Sequence, residues 1–378
     1  MKNLRDVYVI GVGMTKFARH PDRKFHDLGQ EAVRAALEDA GISYDAIEAA
    51  YCGHVMQGST AGQQVLDKVG RTGIPIMNVE NACASGTTAF RSAWANVATG
   101  LNNVALAVGF EKMGRGPLKM SRIEEGSEEE NKPPMMPFIF AQIFEEHSSR
   151  YGTTEEQMAL VSVKNHDNGA LNPRAQYQKP MTVEEVMNSR PIVGPLRLLM
   201  CCPTGAGAAA AIVCSEDIAR TAKSKPIRVV ASSFQSEKYG DPNEPLTGIT
   251  EINQRTANLA YEMAGLKPDD IDLVELHDCF AIAEIIHYEN LGLCKRGEGG
   301  KFIEEGMSKI GGKVAVNPSG GLLAKGHPLG ATGVAQVFEI VTQLRGLADQ
   351  RQVKGAKVGL THCQGFGGAT GVHIFARE

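Results

Sequence analysis

Cys83 stands in the run Glu80-Asn81-Ala82-Cys83-Ala84-Ser85-Gly86-Thr87-Thr88-Ala89-Phe90, where small residues leave its sulfur uncovered and a helix is expected to begin. Backbone N–H groups and the helix dipole at such a start favour the thiolate, the nucleophilic form of cysteine. A packed structural cysteine explains this segment equally well when it is read alone. His327 lies in the loop Asn317-Pro318-Ser319-Gly320-Gly321-Leu322-Leu323-Ala324-Lys325-Gly326-His327-Pro328, whose glycines and prolines are expected to hold the imidazole in the open ahead of a helix. An exposed imidazole is a natural general base near neutral pH. Leu276-His277-Asp278-Cys279-Phe280 follows a strand directly, at the end where open α/β sheets place their ligands. A further strand, Lys357-Val358-Gly359-Leu360, is expected to lead out into Thr361-His362-Cys363-Gln364-Gly365, which offers another thiol beside flexible backbone donors. A thiol nucleophile, an imidazole base and a second thiol together point to covalent group transfer. The competing use, metal ligation, lacks the short ligand spacings at Cys83 and His327 that such sites require.

The elements that must position these residues repeat. Val7-Tyr8-Val9-Ile10-Gly11-Val12-Gly13 and Ile227-Arg228-Val229-Val230-Ala231-Ser232-Ser233 both read as buried strands. Glu38-Asp39-Ala40-Gly41-Ile42 matches Glu262-Met263-Ala264-Gly265-Leu266 at a constant offset of 224, with Gly41 and Gly265 where helix C-caps belong. A strand follows each, Ala49 to Gly53 and Leu273 to His277. The expectation is an α/β protein of two duplicated halves with mainly parallel sheets. Residues 1–111 and 199–224 form the first half, 112–198 an inserted loop domain without sheet, and 225–378 the second half. Within the insert, the acidic run Glu124 to Glu130 reads as a solvated turn, and a helix over Thr154 to Asn165 is expected to cover the site. Neither Gly11-Val12-Gly13-Met14 nor the His327 loop completes a dinucleotide or phosphate-loop pattern.

Composition sets the outer limits. A chain of 378 residues, 43% hydrophobic, can bury more than one sizeable core. Its formal charge of −4 gives no overall pull toward nucleic acid or an anionic membrane. No apolar run approaches a membrane span, and Phe375-Ala376-Arg377-Glu378 is not a peroxisomal address. Eight cysteines without C-x-x-C spacing support neither a disulfide framework nor structural zinc, so a reducing cytoplasm is expected.

With these residues placed, the chain resembles a thiolase, of the branch that holds sterol-carrier-protein-type thiolases and archaeal and bacterial acetyl-CoA acetyltransferases. The resemblance spans essentially all 378 residues and rests on Asn81-Ala82-Cys83-Ala84-Ser85-Gly86, His277-Asp278-Cys279-Phe280 and Gly326-His327-Pro328-Leu329-Gly330-Ala331-Thr332-Gly333. Lys164-Asn165-His166, Asn172 to Tyr177 and Cys201-Cys202-Pro203 support it. It implies a duplicated αβαβα layered fold, a homodimer or dimer of dimers, and chemistry on acyl-CoA with coenzyme A as co-substrate and no permanently bound cofactor or metal. The implied reaction is cleavage of a 3-oxoacyl-CoA by CoA, or the reverse Claisen condensation, through an acyl-Cys83 intermediate. In that scheme His327 takes the Cys83 proton, His277 with His327 or a water faces the enolate oxygen, and the N–H groups of Cys83 and Gly365 face the tetrahedral oxyanion. A second thiol then protonates the enolate carbon. Typical relatives use a C-x-G cysteine, matched by Cys363, and the sterol-carrier branch the H-D-C-F cysteine, matched by Cys279; this chain carries both, and the branch match favours Cys279. Some members of the branch work with a small zinc-binding, oligonucleotide-fold-like partner subunit. The alternatives are a ketosynthase or hydroxymethylglutaryl-CoA-synthase type condensing enzyme and a non-catalytic acyl-CoA-binding scaffold. The Met- and Pro-rich stretch Pro133 to Phe140 could accept straight, branched or aryl acyl chains, benzoylsuccinyl-CoA among them.

Overall fold

The computed structural model describes residues 4–114, 116, 135–238 and 245–377. The acidic run and Pro133-Pro134 lie outside the described residues. In chain order the first half runs β1 (Val7–Met14), α1 (Phe25–Ala40), β2 (Ala49–Gly53), α2 (Ala61–Asp67), β3 (Ile76–Val79), α3 (Ser85–Ala98) and β4 (Val104–Lys112). Helices α4 (Met135–Tyr151), α5 (Glu155–Ala170) and α6 (Val183–Met187) follow, with the short strands β5 (Pro191–Val193) and β6 (Leu196–Arg197). Strand β7 (Ala206–Ser215) and helix α7 (Glu216–Ala219) then lead to β8 (Ile227–Ser236), α8 (Pro245–Ala264), β9 (Leu273–Glu275), α9 (Ala281–Asn290) and α10 (Gly299–Glu304). The chain ends with β10 (Ala315–Val316), α11 (Leu329–Arg345), β11 (Val358–Gly365) and β12 (Ala369–Ala376).

Ten strands lie in the order β10-β9-β11-β12-β8-β1-β7-β4-β2-β3, and the order is a mirror. β1, β2, β3, β4 and β7 take the places in one half that β8, β9, β10, β11 and β12 take in the other. The two half-sheets join edge to edge where Tyr8 and Val9 pair with Arg228 and Ile227. The expectation of mainly parallel sheets is corrected. β2 pairs parallel with β3 and β4, and β9 with β10 and β11. The return strands β7 and β12 run antiparallel to both of their neighbours. β12 turns straight back from β11, and β7 returns beside β4 only after the long inserted segment with its own helices and ribbon, so neither closes a simple strand-helix-strand unit. The segment between the halves is helical, but β5 and β6 pair as a two-stranded ribbon, which also departs from the expected lack of sheet.

Burial resolves five layers. Leu28, Val33 and Leu37 of α1 pack on Ile10, Leu106 and Ile212, which lie on one face of the first half-sheet. Phe90 and Val97 of α3 and Val334, Val337 and Leu344 of α11 fill a central layer between the half-sheets. Ile249 and Ala257 of α8 and Ile282 and Ile286 of α9 cover the far face of the second half-sheet through Val274, Leu360 and Val372. The central helices touch backbone to backbone where they begin. A Cβ on Gly86 would lie 2.6 Å from the Gly330 oxygen, and one on Gly333 2.2 Å from the Thr87 nitrogen. No side chain fits there, so the start of α3, just after Cys83, and the start of α11, just after His327, are set against each other.

Candidate active site

The turn that carries Cys83 is tight and heavily bonded. Ala82 takes φ +48°, in the left-handed region that non-glycine residues rarely adopt. The Glu80 carboxylate accepts from the Ala82 N–H at 2.6 Å, the Ser85 hydroxyl donates to the Ala82 carbonyl at 2.7 Å and accepts from the Asn81 N–H at 3.0 Å, and the Ala84 N–H reaches the Asn81 carbonyl at 2.9 Å. Helix α3 starts two residues later, as expected. Burial pushes the Cys83 thiol up to about 12, and the charges of Glu111 and Glu80 add to that. Only the N–H groups of Phe366 and of Cys83 itself pull the other way. Cys83 keeps part of its surface open, as expected, but the expected thiolate is corrected: desolvation of the sulfur outweighs the donors and favours S–H.

His327, by contrast, is not in the open. It is 3% exposed, and burial together with neighbouring His277 holds its pKa well below the ordinary histidine value. The loop that precedes it winds into a single wide turn over residues Gly321–Lys325 and buries every one of them, which the glycine content disguised. Nor does His362-Cys363 follow a strand: both lie inside β11, which runs on to Gly365. The glycine after the thiol extends the strand until its backbone meets the nucleophile turn, and a Cβ on Gly365 would lie 2.1 Å from the Asn81 oxygen.

Four strand or helix ends bring these residues together. The Cys83 sulfur and one ring nitrogen each of His277 and His327 lie within 4.8 Å of one another, and the two rings are 5.0 Å apart. Both Nε2 atoms are buried without a hydrogen-bond partner, among the described residues. The Nδ1 atoms are engaged. His277 Nδ1 accepts from the Gln364 N–H at 3.1 Å, and His327 Nδ1 pairs with Thr332 Oγ1 at 2.8 Å. Since a backbone N–H can only donate, the His277 ring carries its proton on Nε2; it is neutral at pH 7 because burial lowers its pKa to about 4. A protonated Nε2 is a donor and not a metal ligand. That tautomer turns the Cys83, His277 and His327 cluster toward catalysis instead of ion binding.

The remaining thiols differ in their surroundings. Cys363 is fully buried and donates through Sγ to the Cys83 carbonyl at 3.2 Å. Cys279 is 7% exposed; burial first, then the charges of Cys202, Cys83 and Asp278, push its thiol well above the ordinary range. Burial also raises Cys363, with the Cys83 charge adding to the rise and the Lys325 cation opposing it. Cys202 adjoins the group, its N–H donating to the Cys279 carbonyl at 3.0 Å.

A buried polar network that sequence reasoning missed locks the two histidine segments together. Asp278, next to His277, accepts from the N–H groups of Leu322 (2.7 Å) and Leu323 (3.2 Å) in the turn that leads to His327. The Asn165 amide of α5 donates to Asp278 and to Glu284, both at 2.8 Å; Lys164 meets Glu284 at 2.8 Å; and Asn317 bridges Glu284 to the Leu276 N–H. The polar run Lys164-Asn165-His166 was its signal in that part of the chain, and no local pattern tied it to residues more than a hundred positions away.

Known proteins resemble the chain over nearly its whole length. Residues 7–217 match the family described as "Thiolase, N-terminal domain", and residues 237–377 match "Thiolase C-terminal domain-like". The chain is 45% identical over 384 residues to an acetyl-CoA acetyltransferase of Methanothermobacter thermautotrophicus, covering 99% of this chain and 100% of that one. It is 40% identical to the benzoylsuccinyl-CoA thiolase subunit BbsB of Thauera aromatica, covering 97% of this chain and 96% of that one. Among solved structures, the "Ltp2-ChsH2(DUF35) aldolase" superposes with a TM-score of 0.84 at 25% identity, covering 100% of this chain and 99% of that one.

Proposed function

The chain belongs to the thiolase family and is a CoA-dependent acyltransferase, and from that premise we propose how Cys83, His277, His327 and Cys279 divide the reaction. The observation that carries the reading is the meeting of one thiol with two imidazoles whose Nε2 atoms are otherwise unoccupied.

Cys83 passes its proton to His327 and attacks the keto carbon of a 3-oxoacyl-CoA. The N–H groups of Cys83 and Gly365 receive the tetrahedral oxyanion. As the Cα–Cβ bond breaks, the acyl group stays on Cys83 and the electron pair becomes a thioester enolate. The His277 Nε2–H supplies a fixed donor for the enolate oxygen in a dry site, where such a bond is worth most. The enolate carbon takes the Cys279 proton. Cys279 is favoured over Cys363 because the Cys363 hydrogen is already held by the Cys83 carbonyl. The high thiol pKa that burial imposes suits a proton donor. CoA then enters, gives its thiol proton to the Cys279 thiolate and attacks the acyl thioester, and Cys83 leaves as a thiolate that takes its proton back from His327.

The substrate class follows the relatives' names: acetoacetyl-CoA for the simplest reading, and an aryl 3-oxoacyl-CoA for the BbsB likeness. Two assembly features belong to the same proposal. Strand β3 ends the sheet, paired on one side only by β2, and an open edge of this kind is completed by a second copy in a homodimer or dimer of dimers. The DUF35 component named with the superposing aldolase, and the word subunit in the name of BbsB, support a small partner subunit for this chain also. No helix among the described residues is long and apolar enough to cross a membrane, and the eight free thiols support a reducing, cytoplasmic setting. The testing experiment is loss of the acetoacetyl-CoA enolate absorbance on adding CoA, for the chain alone and co-expressed with a neighbouring DUF35-type protein. CoA-dependent loss in either preparation supports the reading, and none in both, with aryl substrates also inert, overturns it.

A further inference from the structure

We infer that Thr332 is a positioning residue that fixes the His327 tautomer, so that the two active-site imidazoles are locked in opposite tautomers and cannot exchange roles. This deepens the thiolase reading and rests on it for its kinetic consequence alone.

The Thr332 hydroxyl has two neighbours and must choose between them. Its Oγ1 lies 2.8 Å from His327 Nδ1 and 3.0 Å from the Pro328 carbonyl, one helical turn back. A hydroxyl has one hydrogen and can also accept. If it goes to Pro328, Thr332 accepts from Nδ1–H, and His327 Nε2 is left with a bare lone pair. If it goes to Nδ1, His327 Nε2 carries the proton. The second arrangement sets two N–H donors against each other in a dry pocket, since Gln364 already forces the proton of His277 onto Nε2. Two ring N–H groups and the Cys83 S–H would then share a cluster whose atoms lie within 4.8 Å of one another with no nitrogen lone pair among them, and crowding buried donors without an acceptor is costly. In the first arrangement the bare His327 Nε2 is the one nitrogen lone pair in a cluster with the Cys83 sulfur and the His277 ring, all within 4.8 Å, so the three groups are complementary in donors and acceptor. Thr332 is 1% exposed and belongs to the first turn of α11, whose start is set by the glycine contacts with α3. The hydroxyl is therefore held by the same packing that places Cys83.

The consequence is a division of labour. His327 is the base for Cys83 because its Nε2 is unprotonated, and His277 is the oxyanion donor because its Nε2 is protonated. A methyl in place of the hydroxyl removes the acceptor and frees the ring to take the other tautomer, in which it cannot receive the Cys83 proton.

The test is direct. In the full-length protein labelled with 15N-histidine, the two rings are assigned by their disappearance in His277→Gln and His327→Gln. The proposal expects a pyridine-type Nε2 and pyrrole-type Nδ1 for His327, and the reverse for His277. Thr332→Val is expected to move His327 toward the other tautomer and lower kcat with KM unchanged. The loss should lie between about 10-fold and about 10⁴-fold, the upper figure being what a wrong histidine tautomer costs a serine hydrolase. Thr332→Ser is expected to restore both signals. A pyrrole-type His327 Nε2 in the wild-type protein overturns the proposal, and this result does not depend on any variant folding. Thr332→Val with wild-type kcat and spectrum overturns it too. Opposite tautomers in a protein that cleaves no 3-oxoacyl-CoA would uphold the tautomer assignment and reject the thiolase reading, so the two failures are distinguishable.

Discussion

The Cys363 thiol donates its hydrogen to the Cys83 backbone carbonyl at 3.2 Å, across the gap between β11 and the nucleophile turn. The bond gives Cys363 a structural task at the position where a C-x-G cysteine would otherwise act. Cys363→Ala is accordingly expected to weaken the turn and reduce kcat only modestly, whereas Cys279→Ala removes the enolate's proton donor and abolishes cleavage. General acid catalysis contributes about 10²–10⁴-fold, so the two variants should separate by at least the lower figure. Steady-state rates with acetoacetyl-CoA and CoA decide it, and the reverse order of losses would assign the proton transfer to Cys363.

Close approach of α3 and α11 is what sets the distance from Cys83 to His327. A Cβ at position 333 would sit 2.2 Å from the Thr87 nitrogen, against backbone that cannot rotate away. Gly333→Ala is expected to destabilise the protein by about 1–3 kcal/mol, the usual range for overpacking. It should also depress kcat more than the same loss of stability elsewhere would. Denaturant unfolding alongside kinetics tests this; an active, fully stable Gly333→Ala would show that the helices can part without consequence.

Much of this arrangement was legible in the chain. The strands β1, β2 and β8 and the glycine caps at Gly41 and Gly265 follow from local pattern, because strand burial and left-handed caps are decided by neighbours in sequence. The Cys83 and His327 segments were found by their small residues. What local pattern could not carry was environment. The glycines around His327 read as exposure, but they permit close packing, and the loop is buried. Thr361 to Gly365 read as a loop, but they continue β11, because pairing with β12 and not local propensity extends the strand. The tie from Asp278 to Leu322 and Asn165 joins residues far apart in the chain, which no single stretch could reveal.

Acid should unfold this protein early. Burial lowers His166 and His277 to about 4 and His362 and His373 to about 3, and holds His287 and His327 well below the ordinary 6.5. A folded-state pKa below the unfolded one means that the unfolded chain binds protons the fold refuses. Stability is then complete above pH 6.5 and falls as pH drops toward the folded values. Each ring steepens the fall by about 1.4 kcal/mol per pH unit within that window. His373 lies between the hydroxyls of Thr87 and Ser232 and has no part in the proposed chemistry. Urea unfolding at pH 5 and pH 7 should show a large difference for the wild type and a smaller one for His373→Gln. Equal differences would mean that His373 protonates freely in the fold.

Among the described residues the Asp278 oxygens accept from the N–H groups of Leu322 and Leu323 and the amide of Asn165, while burial and the Glu284 charge push its carboxyl up to about 8. An asparagine there must turn its NH2 toward one of these donors. Asp278→Asn is expected to cost about 1–3 kcal/mol, the penalty for a buried group left unsatisfied. It should also lower kcat by loosening the turn that carries His327 while leaving Cys83 alkylation by a small reagent intact. Unchanged stability would show that the turn does not depend on the carboxylate.

The central claim is that the acyl group passes through Cys83, and the most direct measurement is the mass of the Cys83 peptide after brief incubation with acetyl-CoA or acetoacetyl-CoA and acid quench. An added acetyl group on that peptide, removed by subsequent CoA and absent from Cys83→Ala together with all cleavage activity, is the predicted result. CoA-dependent cleavage that survives in Cys83→Ala, with no acyl group found on Cys83 in the wild type, would contradict it.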